Sequence, residues 1–335
     1  MVDSNPAQRR AVRVVTFTAN PSLDRTVVLG APLARGGVQR AVSGAAQAAG
    51  KGVNVAKVLA SGGVSTVAVL PFADEAYRSC LQADLPAGLS VVAPSTVRHT
   101  RTNTTITEPD GTTTKINEPG PALSPEDLAA AADLLVSTAA GAAWVALSGS
   151  LPPGAPTDWY ARLIARLKPL GCRVAVDTSG AALDAVLDAL PEAPFDLVKP
   201  NSDELAQVAG GDAAAFEEAA DRGDLHDIVE AAARLRERGI ANVLVTLGGA
   251  GAVLVTGDGA WHATSPRIEV RSTVGAGDSS VAGFILAEVA GKSPAECLAD
   301  AVRHGSAAAS LPGTTLPTGG DLPAGRPFVT PLSNC

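Results

Sequence analysis

The turn Thr273-Val274-Gly275-Ala276-Gly277-Asp278 combines the residue types needed to move a phosphate group. Two glycines let a backbone bend sharply and aim several N–H groups at one point. The apolar run from Ser279 to Leu286 reads as a buried helix, whose N-terminus adds about half a positive charge at that point. A carboxylate repels phosphate, so Asp278 has two readings here. It is a helix N-cap after a flexible turn, or it is a base that takes a hydroxyl proton while the N–H groups hold the phosphoryl group under attack. Ahead of the turn, Arg267 to Arg271 alternates like a strand.

Four further polar clusters each follow a strand-like run: Asn20–Asp24, Ser148-Gly149-Ser150, Lys199–Glu204 and Thr246–Gly251. The runs ahead of them are Val12–Thr18, Ala143–Leu147, Leu197–Lys199 and Val243–Thr246, with Arg173–Asp177 as another strand. Between them lie helical stretches. Ser124-Pro125-Glu126-Asp127 gives a capped start with Pro in the first turn, and Leu225–Arg238 stops at Gly239. Such alternation predicts an α/β fold with a doubly wound, mostly parallel sheet and a site at the carboxyl ends of its strands. Shorter β pieces are expected at Thr26–Leu29, Gly37–Val42 and Ser65–Leu70. Thr100–Thr107 and Thr112–Asn117, joined by Pro109-Asp110-Gly111, read as a hairpin; being polar on both faces, it is expected to lie over something.

The chain's 335 residues suit one α/β domain with a small appendage. Its composition, 46% hydrophobic and 18% charged, is that of a compact soluble protein. Aromatics at 3%, a net charge of −8 and no Lys/Arg-rich run argue against a nucleic-acid partner. No apolar run is long enough for a membrane span. Cys80, Cys172, Cys297 and Cys335 are dispersed, which points away from disulfides or zinc and toward a cytoplasmic setting. His99, His226, His262 and His304 are equally scattered and read as ordinary surface or core residues.

Lys51 invites a Walker A reading that fails, because Gly44 lies one residue too far upstream and Gly52 stands where Ser or Thr would bind magnesium. The Gly-Ala-Gly pairs at 249–251 and 275–277 begin like dinucleotide fingerprints, but Leu254 and Ser280 fill the sixth positions, which leaves a nicotinamide dehydrogenase as a weak reading.

Five stretches in order resemble the ribokinase/PfkB family of carbohydrate kinases. They are Gly50-Lys51-Gly52-Val53-Asn54-Val55-Ala56, Leu147–Pro152, Lys199–Glu204, Thr246–Gly251 and Thr273–Asp278. The resemblance covers about residues 12 to 312, leaving 313–335 as an irregular tail. It implies a ribokinase-like fold with a small β-sheet lid drawn from about residues 24–44 and 97–118. Asn20-Pro21-Ser22-Leu23-Asp24 and the Ala48–Gly52 stretch point to the subgroup that uses ATP and Mg²⁺ to convert fructose 1-phosphate into fructose 1,6-bisphosphate. Kinases of tagatose 6-phosphate and of fructose 6-phosphate share much of the pattern. A catalytically silent sugar-phosphate-binding regulator on the same fold is the rival of another class.

The resemblance assigns roles residue by residue. Asp278 becomes the base, and Gly275, Ala276 and Gly277 the N–H hole. Asp24, Gly50, Gly52, Asn54 and Ser148 fall at the sugar, with Lys51 and Arg101 on its phosphate. Lys199, Asn201, Thr246, Gly248, Gly249, Gly251 and Gly277 fall at ATP. Asn201 and Glu204 would act on a mostly hydrated Mg²⁺, although their own spacing fits a helix N-terminus equally well. A homodimer through the lid is implied too. Two departures stand out: Gly36-Gly37-Val38-Gln39 replaces the subgroup's Gly-Glu-Val-Asn, and Ser272 takes the place of an Asp before Thr273, so activation by a monovalent cation is not assumed.

Overall fold

The structure is a computed structural model that describes residues 12–96 and 98–332. In chain order the elements are β1 (Arg13–Thr18), β2 (Ser22–Leu29), β3 (Ala41–Ala49), α1 (Lys51–Ser61), β4 (Ser65–Val69), α2 (Glu75–Ala83), β5 (Leu89–Val92), β6 (Arg101–Thr107) and β7 (Thr113–Asn117). Then follow α3 (Pro125–Ala139), β8 (Trp144–Ser148), α4 (Trp159–Leu167), β9 (Arg173–Asp177), α5 (Ala181–Asp188), β10 (Phe195–Val198), α6 (Ser202–Ala209), α7 (Ala213–Asp221) and α8 (His226–Glu237). The chain closes with β11 (Ile240–Thr246), β12 (Ala252–Thr256), β13 (Gly259–Ala263), α9 (Ala276–Val289), α10 (Pro294–Ala309) and β14 (Val329–Leu332).

A ten-stranded sheet in the order β14-β13-β12-β11-β10-β9-β8-β1-β4-β5 forms the centre. From β5 to β11 all neighbours are parallel; β12, β13 and β14 add antiparallel pairs. The parallel strands are buried on both faces, and their period of two divides them between layers. Val15, Val145, Val176 and Val245 face a core built with α3, α4, α5 and α8. Val14, Ala146, Ala175 and Leu244 face a core built with α1, α9 and α10. This is the doubly wound arrangement expected from the sequence. Strand order reverses beside β1, which pairs with β4 on one side and β8 on the other, and a crevice opens at such a point.

Helix α9 is apolar nearly all round, because it is sandwiched between α1, α10 and the sheet. Glycines permit these close crossings. A Cβ on Gly283 would lie 2.5 Å from the Asp300 carbonyl oxygen, and one on Gly305 would lie 2.3 Å from Ser280 Oγ.

A four-stranded sheet, β3-β2-β6-β7, stands apart from the large one; β2 runs parallel to β6 and antiparallel to β3. Its strands differ from expectation on one side. The piece expected at Gly37–Val42 is largely loop, and β3 instead runs from Ala41 to Ala49, right up to the Gly50 turn. Pairing with β2, which begins at Ser22, sets that register, and a string of alanines carries little local signal for it.

Two other expectations are corrected. Arg267–Arg271 is not a strand: β13 already pairs with β14, and the segment is held by Arg271 N–H donating to the Ala309 carbonyl at 2.9 Å. The tail expected to be irregular beyond residue 312 supplies β14, which extends the sheet through Ala263 opposite Val329.

Helix α1 starts hard against β1. A Cβ on Gly52 would meet the Phe17 carbonyl oxygen at 2.7 Å and Thr18 Oγ1 at 2.5 Å. Because a backbone carbonyl cannot swing away, Gly52→Ala is expected to cost about 1–3 kcal/mol in denaturant unfolding. Gly325→Ala, with open space around it, is expected to stay within about 0.5 kcal/mol of the parent.

Candidate active site

A cleft of about 1000 Å³ lies where the carboxyl ends of the large sheet face the small sheet. Asp24, Gly50, Lys51, Asn54 and Arg101 line it together with Lys199, Asn201, Glu204, Thr246, Gly248, Gly249 and Gly251, and with the turn residues Gly275, Ala276, Gly277 and Asp278. A second depression of about 460 Å³ beside the carboxyl end of α9 contains none of these residues.

The central turn is built as its sequence suggests. Gly275 takes φ 77°, a left-handed conformation, and leads into α9 without a side-chain cap. Ser279 N–H is the first in the helix to close a short bond, to the Gly275 carbonyl at 2.8 Å, and the N–H groups of Gly277 and Asp278 have no backbone acceptor among the described residues. The N-cap reading of Asp278 therefore falls away. Its carboxylate instead accepts from Asn54 Nδ2 at 2.8 Å, across from α1. Asp278 is 6% exposed. Burial, reinforced by the neighbouring Asp177, pushes its carboxyl up to about 6, against the pull of Lys51, Asn54 and Lys199.

Beneath Asp278 lies a residue that the sequence reading did not single out. Asp177 ends β9, is almost wholly buried, and accepts from Lys51 Nζ at 3.1 Å, while Lys199 Nζ stands 3.4 Å from the same oxygen. Its other oxygen has no partner among the described residues. Burial pushes the Asp177 carboxyl up, but Lys199 and Lys51 overcome this and hold it below the usual carboxylate range. For Lys51 burial works downward, and Asp177, Asp278 and Glu204 more than offset it, keeping the ammonium charged. Lys199 also packs on the central turn: a Cβ on Gly277 would be 3.1 Å from its Nζ. A carboxylate directly after the apolar run Val174–Val176 was the available signal for Asp177.

On the small sheet, Asp24 accepts from Ser22 Oγ at 2.8 Å and from Asn103 Nδ2 at 3.0 Å. Burial raises its carboxyl, while Ser22, Asn103 and Arg101 pull it back. Arg101 donates to the Glu118 carbonyl at 3.2 Å, and its Nε is buried without a partner. Asn103 is a second residue the sequence reading missed. It shares a face with Arg101 by the period of two, and β6 places it opposite Asp24.

Thr246 is tied to the Lys199–Asn201 segment by its N–H to the Pro200 carbonyl at 3.0 Å. The turn that follows closes through Leu247 N–H to the Gly251 carbonyl at 2.8 Å. Gly251 has φ 99°, and a Cβ there would overlap the Ala263 carbonyl oxygen, so only glycine fits. Asn201 and Glu204 form a reciprocal capping box on α6: Asn201 Oδ1 accepts from Glu204 N–H at 2.7 Å and Glu204 Oε2 accepts from Asn201 N–H at 3.0 Å. The helix-start reading of this pair is thus realised, and both residues line the cleft.

Two expected sugar-side residues lie elsewhere. Gly52 is committed to the α1–β1 crossing, and Ser148 is buried between β1 and β9, with its hydroxyl unpartnered; neither lines the cleft.

The sequence profile of the pfkB family carbohydrate kinases matches residues 19–319. A 1-phosphofructokinase of Rhodobacter capsulatus is 38% identical over 287 residues, covering 85% of this chain and 86% of that protein. One of Haloferax volcanii is 36% identical over 307 residues, covering 91% and 93%. Among solved structures, phosphofructokinase-2 of Escherichia coli in complex with substrates and products superposes with a TM-score of 0.81 at 29% identity, covering 92% of this chain and 97% of that one. Ribokinase of Arabidopsis thaliana with ribose and ATP superposes with a TM-score of 0.71 at 25% identity, covering 93% and 96%.

The shared oxygen of Asp177 makes a direct prediction. Asp177→Asn removes a negative neighbour of Asp278 and frees two ammonium groups, so the Asp278 carboxyl moves below about 6. The acid limb of the pH–rate profile is expected to shift to lower pH, while kcat/KM at neutral pH falls by about 10²-fold through loss of lysine placement.

Proposed function

The chain belongs to the pfkB family of carbohydrate kinases, and from that premise we propose that it phosphorylates D-fructose 1-phosphate with ATP at the 6-hydroxyl, giving fructose 1,6-bisphosphate. The observation that carries this reading is the buried Asp278 carboxylate beside N–H groups without acceptors at the start of α9. Asp278 takes the proton of the 6-hydroxyl as its oxygen attacks the γ-phosphorus in line. The N–H groups of Gly275, Gly277 and Asp278 hold the charge that gathers on the transferred group, with Lys199 alongside; Ala276 N–H, expected in the same hole, donates to the Thr273 carbonyl at 3.4 Å. Asn54 keeps the carboxylate aimed by donating to one oxygen and leaving the other free to receive the proton.

Asp24 and Asn103 accept and donate to the sugar hydroxyls, and Arg101 and Lys51 grip the 1-phosphate. An ammonium has three donors, so the bond from Lys51 to Asp177 leaves two for that task. ATP lies over Thr246–Gly251, where the N–H groups of Gly248 and Gly249 have no backbone acceptor among the described residues. The spare oxygen of Glu204, with Asp203 and the Asn201 amide beside it in the cleft, suits a hydrated Mg²⁺. An ion held there with ATP would supply positive charge against the phosphates. The small sheet acts as the lid over the sugar, because Ser22, Asp24, Arg101 and Asn103 all project from one of its faces into the cleft. Kinases of 6-phosphorylated ketohexoses remain the rival within the family; kcat/KM on fructose 1-phosphate, fructose 6-phosphate and tagatose 6-phosphate is expected to favour the first, and a preference for a 6-phosphate would defeat the choice. The silent-regulator reading requires the absence of turnover on all three.

The other face of the small sheet suits a second copy of the chain. Val27 and Ile106 sit opposite one another there, next to Ile116, which is 56% exposed. We propose a homodimer through this face. Ile116→Glu is expected to shift the sedimenting species from dimer to monomer; a monomeric parent would contradict the proposal.

Asp278→Asn is expected to lower kcat by about 10²–10⁴-fold with little change in the KM values. In the parent, kcat/KM should fall about tenfold per pH unit below about 6, because only the ionised carboxylate accepts the proton. The sign for stability is opposite. The folded pKa lies above the ordinary 3.8, so ionised Asp278 destabilises the fold at neutral pH, and this cost is relieved as pH falls from about 6 toward 3.8. Asp278→Asn is therefore expected to raise Tm at neutral pH, read by calorimetry.

A further inference from the structure

The small sheet and the central turn come from distant parts of the chain, yet one short segment touches both. After α10 the chain passes through Gly313 to Leu316. On one side, Gln47 Nε2 of β3 donates to the Thr314 carbonyl at 2.8 Å and also contacts Thr314 Oγ1. On the other, Leu316 Cδ2 lies 2.9 Å from where a Cβ on Gly275 would be, so the leucine is seated on the residue that opens α9. Gln47 itself is paired opposite Asp24 in the β2–β3 register. A single amide thus stands beside the sugar-side acid and reaches, through three residues, to the left-handed glycine that aims the N–H groups.

We propose that Gln47 is a positioning residue for phosphoryl transfer, holding Thr314–Leu316 so that Leu316 fixes Gly275 and the first turn of α9. The contact fits this task better than general stabilisation. Gln47 is half-buried where β3 passes from its exposed residues, 41–46, to the buried Ala48 and Ala49, and its side-chain donors go to a loop rather than to its own sheet. Leu316 packs against the α9–α10 core, where any shift is passed to the helix start. A displacement of the N–H groups by about 1 Å lowers turnover without loosening either substrate, because those groups act on charge that develops only during transfer.

This inference rests on the proposed kinase reading, since turnover is its readout. The test is steady-state kinetics on the full chain as the parent, Gln47→Glu, Gln47→Leu, Leu316→Ala and the Gln47→Glu/Leu316→Ala double variant. Gln47→Glu keeps the size of the side chain and removes the donor, so it carries the test alone should Gln47→Leu fail to fold. The expected result is a kcat about tenfold lower in Gln47→Glu, with KM for the sugar phosphate within about threefold, the acid limb near 6 unmoved, and the double variant no slower than the slower single. An unchanged kcat, a rise confined to KM, or effects that multiply in the double variant would each overturn it. Failure of the substrate choice looks different: the parent itself would be idle on fructose 1-phosphate, and the same comparison would then be run on the sugar phosphate it accepts.

Discussion

Two ammonium groups converging on one buried carboxylate oxygen set the conditions for everything else in the cleft. Lys51 enters from the start of α1, Lys199 from the end of β10, and Asp177 from the end of β9. Charges at that depth are tolerable only when paired, so the three hold one another and tie a helix to two strands of the sheet. Asp278 completes the group as the second acid. With two positive and two negative groups the cluster is formally balanced, but the two lysines are already engaged by Asp177, and the Asp278 carboxyl stays raised, to about 6. That imbalance gives it a proton affinity suited to the proposed role of base near neutral pH. Had both lysines bonded to Asp278, its carboxylate would be stabilised and a poor proton acceptor.

The fold supplies this geometry by bringing chain ends together. Parallel strands deliver their carboxyl ends to one edge, and the reversal beside β1 opens the crevice there. Glycine then governs how closely the pieces approach. Gly52 lets α1 lie against β1, Gly251 lets the Thr246 turn lie against β13, and Gly277 gives Lys199 its place. The small sheet divides its residues by the period of two: polar groups toward the cleft, Val27, Ile106 and Ile116 away from it. Membership of the pfkB family of carbohydrate kinases gives these features one function.

Much of this was legible in the sequence, for reasons that are local. The Gly275–Asp278 turn, the capped start at Ser124 and the strand ends at Thr18 and Thr246 are short-range patterns, and they fell where expected. What escaped depends on tertiary neighbours. Ser148 and Gly52 belong to motifs that resemble sugar-binding ones, yet the packing of β1 with α1 and β8 buries both, and neither lines the cleft. Asp177 ends a strand like any other until two lysines from elsewhere reach it. The alternation in Arg267–Arg271 looks like a strand, but the sheet edge it would need is taken by β14.

The proposed role of Asp278 as a base depends on surroundings that raise its proton affinity. Infrared difference spectra of the full chain, parent minus Asp278→Asn, test it most directly through the band of the protonated carboxyl. This band is expected to be lost with a midpoint near 6 as pH rises. A midpoint at the ordinary carboxylate value of 3.8, or no difference between the two proteins, would contradict it.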